Sequence, residues 1–319
     1  MSAVLPVAAF VVGVVVVIWS TERLLDGMVG LAVLLRAAPF VIAGIFSGLE
    51  AENVAVGLAA AANDNLELAL GTVFGGGSFI VCVALGLGAV LFPLRVQVPR
   101  GVLAMFAATP VLAGIALIGG TTSRPAGALL LVAFAASIWY LVRASRRHDF
   151  LGAEAAEIRE EAAEQPTGRR RWWRPVGLTL LGLAVLASGA ELVSYGADSI
   201  IRQFAFPAAV MGMIVTPAAI EAEEVIRQAV PSKHGRHDVA AGNLIGTLLY
   251  FVLFNLGLIA LVAPIEVPSR VTTLDWPFLI VVTGLATVFL WRGGVTRLQG
   301  AILLTAYAGY VTVHVLLAT

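Results

Sequence analysis

Charged residues and cysteine are scarce in this sequence. Lysine, arginine, aspartate and glutamate make up 13% of the 319 residues, whereas a typical soluble domain contains about 25%. The single cysteine, Cys82, lies within an apolar stretch. One cysteine excludes a disulfide within the chain and a cysteine-based metal site, so we interpret Cys82 as a small packing residue.

Signatures of several enzyme classes are also missing. The sequence contains no His-Glu-x-x-His motif, which argues against a membrane metalloprotease. It contains no Gly-x-x-x-x-Gly-Lys motif either, so we do not expect ATP-driven pumping within this chain. Ser78 follows a run of three glycines, but no histidine is predicted at a matching depth to activate it. We therefore expect neither an enzyme nor a bound cofactor.

Long apolar stretches make up most of the chain. Hydrophobic residues account for 59% of it, and its mean hydropathy is +0.94. Apolar stretches of about 18 to 30 residues recur, each long enough to cross about 30 Å of hydrocarbon as a helix. The predicted helices cover residues 4–35, 38–62, 66–92, 99–118, 123–145, 174–204, 207–230, 238–262, 275–292 and 295–317. We therefore expect an all-α polytopic membrane protein with about ten transmembrane helices.

Basic residues are concentrated on one side of the predicted membrane. When the loops are assigned alternately to the two sides, one side receives only Arg124, Arg202 and Arg270. The other side receives Arg36, Arg95, Arg100, Arg143, Arg146, Arg147, Arg159, Arg169, Arg170, Arg171, Arg174, Lys233, Arg236, Arg292 and Arg297. The positive-inside rule makes the richer side cytoplasmic. We therefore expect an integral protein of the plasma (cytoplasmic) membrane with both termini outside.

The two halves of the chain repeat one pattern. Leu49-Glu50-Ala51-Glu52-Asn53-Val54 corresponds to Ile220-Glu221-Ala222-Glu223-Glu224-Val225, and the register continues with Glu67 on Asp238, Gly71 on Gly242, Gly75 on Gly246, Gly86 on Gly257 and Pro93 on Pro264. The chain thus divides into a five-helix membrane repeat at 1–145, a cytoplasmic linker at 146–173 and a second five-helix repeat at 174–319. Because five is an odd number, the second repeat is inverted relative to the first, as in many secondary transporters.

Glutamates within apolar spans are the leading candidates for function. A charged group at the bilayer centre costs about 3 kcal/mol on insertion scales, so each acidic segment needs a compensating cation or proton. Residues two apart point about 200° away from each other on a helix, whereas Glu221 and Glu224 share a face. Both members of a Glu-x-Glu pair can therefore face one ion only where the helix is broken. Pro217 predicts such a break near Thr216.

Other oxygens are predicted to surround the same ion. Two opposed glutamates, together with Thr72, Ser78, Thr216, Asn243, Thr247 and carbonyls of unwound helix, supply about six oxygens. That number is marginal for Ca²⁺, which takes six to eight, and is sufficient for Na⁺. Burial raises the pKa of a carboxyl group, so a glutamate that binds a cation could also carry a proton.

Two further motifs resemble those of a known family. Gly48-Leu49-Glu50-Ala51-Glu52-Asn53 is similar to Gly-Asn-Ala-Ala-Glu, and Gly242-Asn243-Leu244-Ile245-Gly246-Thr247 is similar to Gly-Asn-x-x-Gly-Ser-Asn. Both motifs, duplicated around a polar linker, resemble the cation/Ca²⁺ antiporter superfamily, which includes sodium/calcium and proton/calcium exchangers. The resemblance implies that Glu52 and, through the repeat, Glu223 bind the transported cation. Glu50, Glu221 and Glu224 are then supporting, alternative or pathway carboxylates.

The resemblance has further implications. It implies that the first helix of each half, 4–35 and 174–204, is a mobile gating helix. The family also has a later Asn, Asp or Gln ligand, which this sequence replaces with Phe79 or Ile80 in the first repeat and Phe251 in the second. The predicted site thus has fewer side-chain oxygens than a calcium site of that family.

These observations lead to one hypothesis and one alternative. The hypothesis is a secondary active cation antiporter, similar to Na⁺/Ca²⁺ or H⁺/Ca²⁺ exchangers, with a site near the bilayer midplane. The alternative is a cation channel, or a non-transporting membrane scaffold of the same fold with a decayed site. The expected partners are the lipid bilayer and inorganic cations, without nucleic acid, and association into a homo-oligomer is left open.

The remaining titratable side chains receive simpler interpretations. Glu67 and Asp238 are predicted at helix starts, where a carboxylate complements the helix dipole. The four histidines, His148, His234, His237 and His314, are predicted to lie in loops or at the outer end of a helix, and therefore on the surface.

Replacing both presumed central glutamates tests the assignment. The double variant Glu52→Gln/Glu223→Gln keeps side-chain shape while removing two charges, so we expect a folded protein without cation exchange. Counter-ion-dependent tracer uptake into proteoliposomes measures the loss. Full exchange by the double variant would contradict the assignment.

Overall fold

The structure is a bundle of helices in two halves. In this computed structural model, residues 4–34, 50–148 and 173–318 are described. The first half contains α1 (Val4–Leu34), α2 (Ala51–Ala62), α3 (Leu66–Leu91), α4 (Arg100–Leu117) and α5 (Arg124–His148). The second half contains α6 (Trp173–Phe204), α7 (Ala208–Ile220), α8 (Ala222–Lys233), α9 (His237–Val262), α10 (Val271–Trp291) and α11 (Arg297–Ala318).

The number of membrane crossings agrees with the prediction of about ten. Eight of the described helices are long and apolar enough to cross a membrane. Two shorter apolar helices, α2 and α7, add to these eight, and α8 follows α7 directly. The tenth predicted helix, 38–62, is described only from Glu50 onward, and 38–49 lies outside the described residues, as does 149–172 of the predicted linker. The all-α fold class is confirmed.

Pairing between loops shows that the repeats are inverted. A short strand β1 (Leu94–Arg95) after α3 pairs antiparallel with β2 (Gly294–Val295), which lies between α10 and α11. At the other end of α4, Thr121 forms a bridge with Glu266, which follows α9. Because α4 crosses the bundle, the loop after α3 and the loop after α9 lie at opposite ends. These two loops are equivalent in the sequence repeat, so the halves have opposite orientations.

The first helices of the two halves pack against each other along their length. Glycines allow the close contact, because a methyl group added at Gly13 would lie 2.7 Å from the backbone nitrogen of Val193. One added at Gly182 would lie 2.9 Å from the Cα atom of Leu24. Small residues at such positions let two membrane helices approach closely. The helices predicted to gate, α1 and α6, thus form one unit beside the other helices.

A second glycine contact lies at the centre of the bundle. A methyl group at Gly71 of α3 would overlap the carbonyl oxygen of Gly212 of α7, and one at Gly212 would overlap the carbonyl oxygen of Glu67. Both helices contain a π-helical turn here, at Gly71–Gly75 and Met211–Val215. Such turns are often found at functional sites. The backbones of the two halves therefore touch directly beside the acidic segments.

The central contact predicts a strong effect of one added methyl group. Gly71→Ala forces the two backbones apart, and overpacking of this kind costs about 1–3 kcal/mol or more. We expect a lower midpoint of thermal unfolding for the protein purified in detergent. The matched control is Gly284→Ala on α10, where an added methyl group has nothing within 4 Å. Equal midpoints for the two variants would contradict the tight packing.

Candidate functional site

Each acidic segment begins a helix. Glu50 directly precedes α2, with φ −107° and ψ 67°, and Glu221 lies between α7 and α8, with φ −84° and ψ 5°. The partial positive charge at a helix N-terminus stabilises a nearby carboxylate. The sequence predicted a helix break near Thr216. In the structure, the break in the second half lies at Glu221 instead. The π-helical turn before Pro217 accommodates the missing backbone donor, so the helix continues for one further turn.

Four of the five glutamates are buried. Glu50, Glu52, Glu221 and Glu224 are each at most 2% exposed. The side chain of Glu223 is 26% exposed. Glu52 interacts electrostatically with all three other buried glutamates, so the two acidic segments lie close together. Such an arrangement of buried like charges needs cations or protons to be stable.

Neutral polar side chains connect the acidic segments across the two halves. The amide of Asn53 donates a hydrogen bond to Oε1 of Glu221. The hydroxyl of Thr247 lies 3.5 Å from Oε1 of Glu50, to which it donates. Both contacts join one half of the chain to the other. Within the second half, Asn243 Nδ2 donates to Glu224 Oε2 over 2.8 Å.

One arginine is inserted among the glutamates, and the sequence analysis missed it. Arg227 lies one turn beyond Glu223 on α8, and its guanidinium is 2.7 Å from Glu223 Oε1 and 3.0 Å from Glu224 Oε1. It also reaches Glu50 of the first half at 3.8 Å. The signal was present, because residues three and four apart share a helix face. Arg227 therefore supplies one of the positive charges that this site needs.

Two asparagines were also missed. Asn53, which the repeat aligns with Glu224, is fully buried and faces the other half through its bond to Glu221. Asn255 of α9 is buried as well, and its Nδ2 donates to Thr72 Oγ1 at 3.1 Å and to the backbone carbonyl of Asn53 at 3.4 Å. An amide within an apolar span is itself a sign of function. Asn255 lies one turn beyond Phe251, the position at which the sequence lacks the polar ligand of the family.

Several buried oxygens around the glutamates have no hydrogen-bond partner. They are Glu52 Oε2, Glu221 Oε2, Asn53 Oδ1, Asn255 Oδ1, Ser78 Oγ and Thr216 Oγ1. Oxygen ligands of this kind suit hard cations such as Na⁺ and Ca²⁺. Within the described part of the chain, however, no three His, Cys, Asp or Glu side chains are gathered as a metal site requires. The six oxygens are thus buried without a hydrogen-bond donor in this conformation.

The comparison with protein families agrees with the fold. The sequence profile described as "Sodium/calcium exchanger protein" matches residues 5–143 and 174–316, and so includes both halves. The chain belongs to the sodium/calcium exchanger family. The resemblance inferred from the sequence motifs is thereby confirmed. As a member of the sodium/calcium exchanger family, the protein is an integral membrane transporter for cations.

Individual relatives support this placement in the sodium/calcium exchanger family. The "Inner membrane protein YrbG" of Escherichia coli is 28% identical over 90% of this chain and 89% of its own. The "Putative antiporter CaxA" of Alkalimonas amylolytica is 26% identical over 94% of this chain and 95% of its own. A structure of the sodium-calcium exchanger NCX_Mj soaked with Na⁺ and Sr²⁺ has a TM-score of 0.59 at 19% identity, covering 98% of this chain and 99% of that one. That likeness shows a shared fold.

One sequence prediction about the histidines is wrong. His314 is fully buried, and its Nε2 lies 2.7 Å from Oδ1 of Asp275. The prediction relied on the position of His314 near the end of α11. In the structure, Asp275 of α10 and the ring of Tyr310 lie against the imidazole, which is enclosed by protein.

Proposed function

We propose that this member of the sodium/calcium exchanger family is a secondary active cation antiporter, of the Na⁺/Ca²⁺ or H⁺/Ca²⁺ type. The single observation that carries the proposal is the convergence of four buried glutamates from both halves of the chain. Uncompensated carboxylates in a membrane interior are costly and are therefore kept for ion or proton pathways. A transported cation or proton would compensate these charges.

In this proposal the cation binds between α2 and α8, near the bilayer midplane. Glu50, Glu52, Glu221 and Glu224 are its carboxylate ligands, and Glu223 and Arg227 close the site on its more exposed side. The neutral oxygens proposed to complete the coordination are those of Thr72, Ser78, Thr216, Asn243 and Thr247, together with those of Asn53 and Asn255. The site lies beside the close contact of α3 with α7, where both halves meet.

Arg227 suggests how binding and release alternate. Its guanidinium stays charged at any physiological pH, and it pairs with carboxylates that the cation also needs. We infer that Arg227 stabilises the unloaded site and moves toward Glu223 when a cation binds. The unloaded site then avoids several neighbouring bare carboxylates, which would otherwise raise the free energy of the empty transporter.

Alternating access is assigned to movement of α1 and α6 together. These helices pack on each other. Asn63, directly after α2, donates from Nδ2 to Oε1 of Glu191 on α6 at 3.2 Å and to its Oε2 at 3.3 Å, at an exposed position. A unit held mainly by its own internal contacts can slide over a fixed core, as in other transporters with inverted repeats. We also propose that both termini lie outside, because the basic loops then face the cytoplasm.

A non-transporting scaffold is the second candidate, and the Arg227 ion pairs favour it. An arginine that permanently neutralises the glutamates would leave no room for a cation. Tracer uptake separates the candidates. Proteoliposomes loaded with Na⁺, or acidified inside, should take up radioactive calcium with saturation and only while the counter-ion gradient lasts. A scaffold gives no uptake, and a channel gives uptake that does not depend on the counter-ion gradient.

The two adjacent glutamates of α8 are expected to behave differently. Glu224→Gln removes a buried carboxylate and should reduce exchange by at least about a hundredfold, in the range of lost charged ligands. Glu223→Gln changes a partly exposed group and should retain a measurable rate with an altered ion dependence. Initial uptake rates in the same vesicles measure both. A larger loss of exchange in Glu223→Gln than in Glu224→Gln would instead support Glu223 as the central ligand.

Removing the arginine should tighten cation binding. Arg227→Gln deletes a positive charge within 4 Å of three carboxylates, so the KM for the cation should fall by at least about fivefold. The kcat should fall too, because release is no longer assisted by a competing charge. Arg202→Gln is the matched control, since Arg202 pairs with Asp198 at 2.8 Å on the exposed part of α6. A KM that rises or stays constant in Arg227→Gln would contradict the competition.

A further inference from the structure

A second buried polar cluster lies away from the glutamate site. It contains Asp275 of α10 and Tyr310 and His314 of α11, all at most 3% exposed. Glu67, the second residue of α3, interacts electrostatically with Asp275 and His314. The cluster thus joins α3 to the last two helices of the chain. It lies at the end of the bundle opposite the β1–β2 pair, because α3 and α10 begin there and α11 ends there.

The hydrogen bonds within the cluster leave several groups unsatisfied. Oδ1 of Asp275 accepts from the hydroxyl of Tyr310 at 2.7 Å and lies 2.7 Å from Nε2 of His314. Nε2 therefore carries a hydrogen, because the carboxylate oxygen is the acceptor. Asp275 Oδ2, His314 Nδ1 and Glu67 Oε2 are buried and have no partner. In a neutral imidazole that carries its hydrogen on Nε2, Nδ1 is a hydrogen-bond acceptor. No donor in the cluster forms a hydrogen bond to it.

Of the charged groups around the imidazole, two are acidic and one is basic. Two carboxylates, Asp275 and Glu67, act on it, and Arg270 is the cation that interacts with Glu67. The other titratable side chains that face the cluster are Tyr307 on α11 and Cys82 on α3. The residues of α7 that pack on α11, Ala208–Val210, contain no titratable group. One proton on the imidazole would balance the second carboxylate.

We propose that His314, Asp275 and Glu67 form a proton-binding site that is separate from the cation site. A hydronium ion from the aqueous phase transfers its proton to Nδ1 of His314, which forms one N–H bond and releases water. The resulting imidazolium is held by Asp275 and attracted by Glu67.

Proton binding at this site can reach the transport core through α3. Glu67 lies at the start of that helix, and its carbonyl oxygen is the atom against which Gly212 of α7 packs. Thr72 follows on the same helix, where it accepts the hydrogen bond from Asn255. A change in the attraction between Glu67 and His314 therefore acts on the contact between the two halves. We infer that pH on this side of the membrane modulates the transporter.

Histidine NMR of the purified protein tests the site without any transport measurement. Each of the four histidines gives one pair of ring ¹⁵N signals, and His314→Gln identifies the pair that belongs to His314. We expect the signals of His314 to change from those of a neutral ring to those of an imidazolium as the pH falls, and the midpoint of this change is the readout of the site. Glu67→Gln should lower that midpoint by about one pH unit, because it removes an attracting charge. Asp238→Asn, at the equivalent position of the other repeat, is the matched control and should leave the midpoint unchanged.

A second variant makes the test independent of how well Glu67→Gln folds. Tyr310→Phe removes the hydroxyl that shares Oδ1 of Asp275, so the carboxylate should hold the imidazolium more strongly and the midpoint should rise. A His314 signal that does not titrate between pH 5 and 9, or equal effects of Glu67→Gln and Asp238→Asn, would overturn the proton site even if exchange is observed.

Uptake measured against pH then tests the link to α3. Its midpoint should shift in Glu67→Gln and stay constant in Asp238→Asn, and an unshifted profile would overturn that link.

Discussion

The burial of several carboxylates in a membrane interior is the constraint on which the rest of this structure depends. Four glutamates at most 2% exposed lie close enough to repel one another. A bilayer offers no water to stabilise them, so the protein must supply positive charge, hydrogen-bond donors and helix dipoles. Arg227, Asn53, Asn243 and the first turns of α2 and α8 do so. In our proposal, the charge that they leave uncompensated gives the site its capacity for a cation.

The inverted repeat explains why this capacity is located at the centre. Each half contributes one helix that begins at a glutamate, and the two halves face each other in opposite orientations. The contact between Gly71 and Gly212 holds these halves at the shortest distance that two backbones allow. Movement of α1 and α6 around such a fixed contact would change access to the glutamates without rebuilding them. The function that we propose therefore requires both tight packing of α3 against α7 and a helix pair, α1 with α6, that can move relative to this contact.

The polar groups outside the centre follow the same physical rule. Asp275, His314 and Tyr310 are buried at one end of the bundle, and they satisfy one another only in part. Their unpartnered atoms resemble those of the central site in chemistry, although the ligand proposed for them is a proton instead of a metal cation. Both clusters contact α3, which makes this helix the physical connection between them.

The sequence alone determined the membrane setting, the number of helices, the repeat and the family. Hydrophobic length, charge in alternate loops and ungapped repeated motifs are local properties that one chain displays directly. The pairing of side chains was decided only by the tertiary structure. Arg227 and Asn53 lie within the acidic segments or one turn away, but their partners Glu50 and Glu221 come from the other half. His314 looked exposed because a position near a helix end says nothing about which neighbouring helices cover it. Contacts between residues far apart in the chain depend on how inverted halves dock, and no spacing in the sequence encodes that geometry.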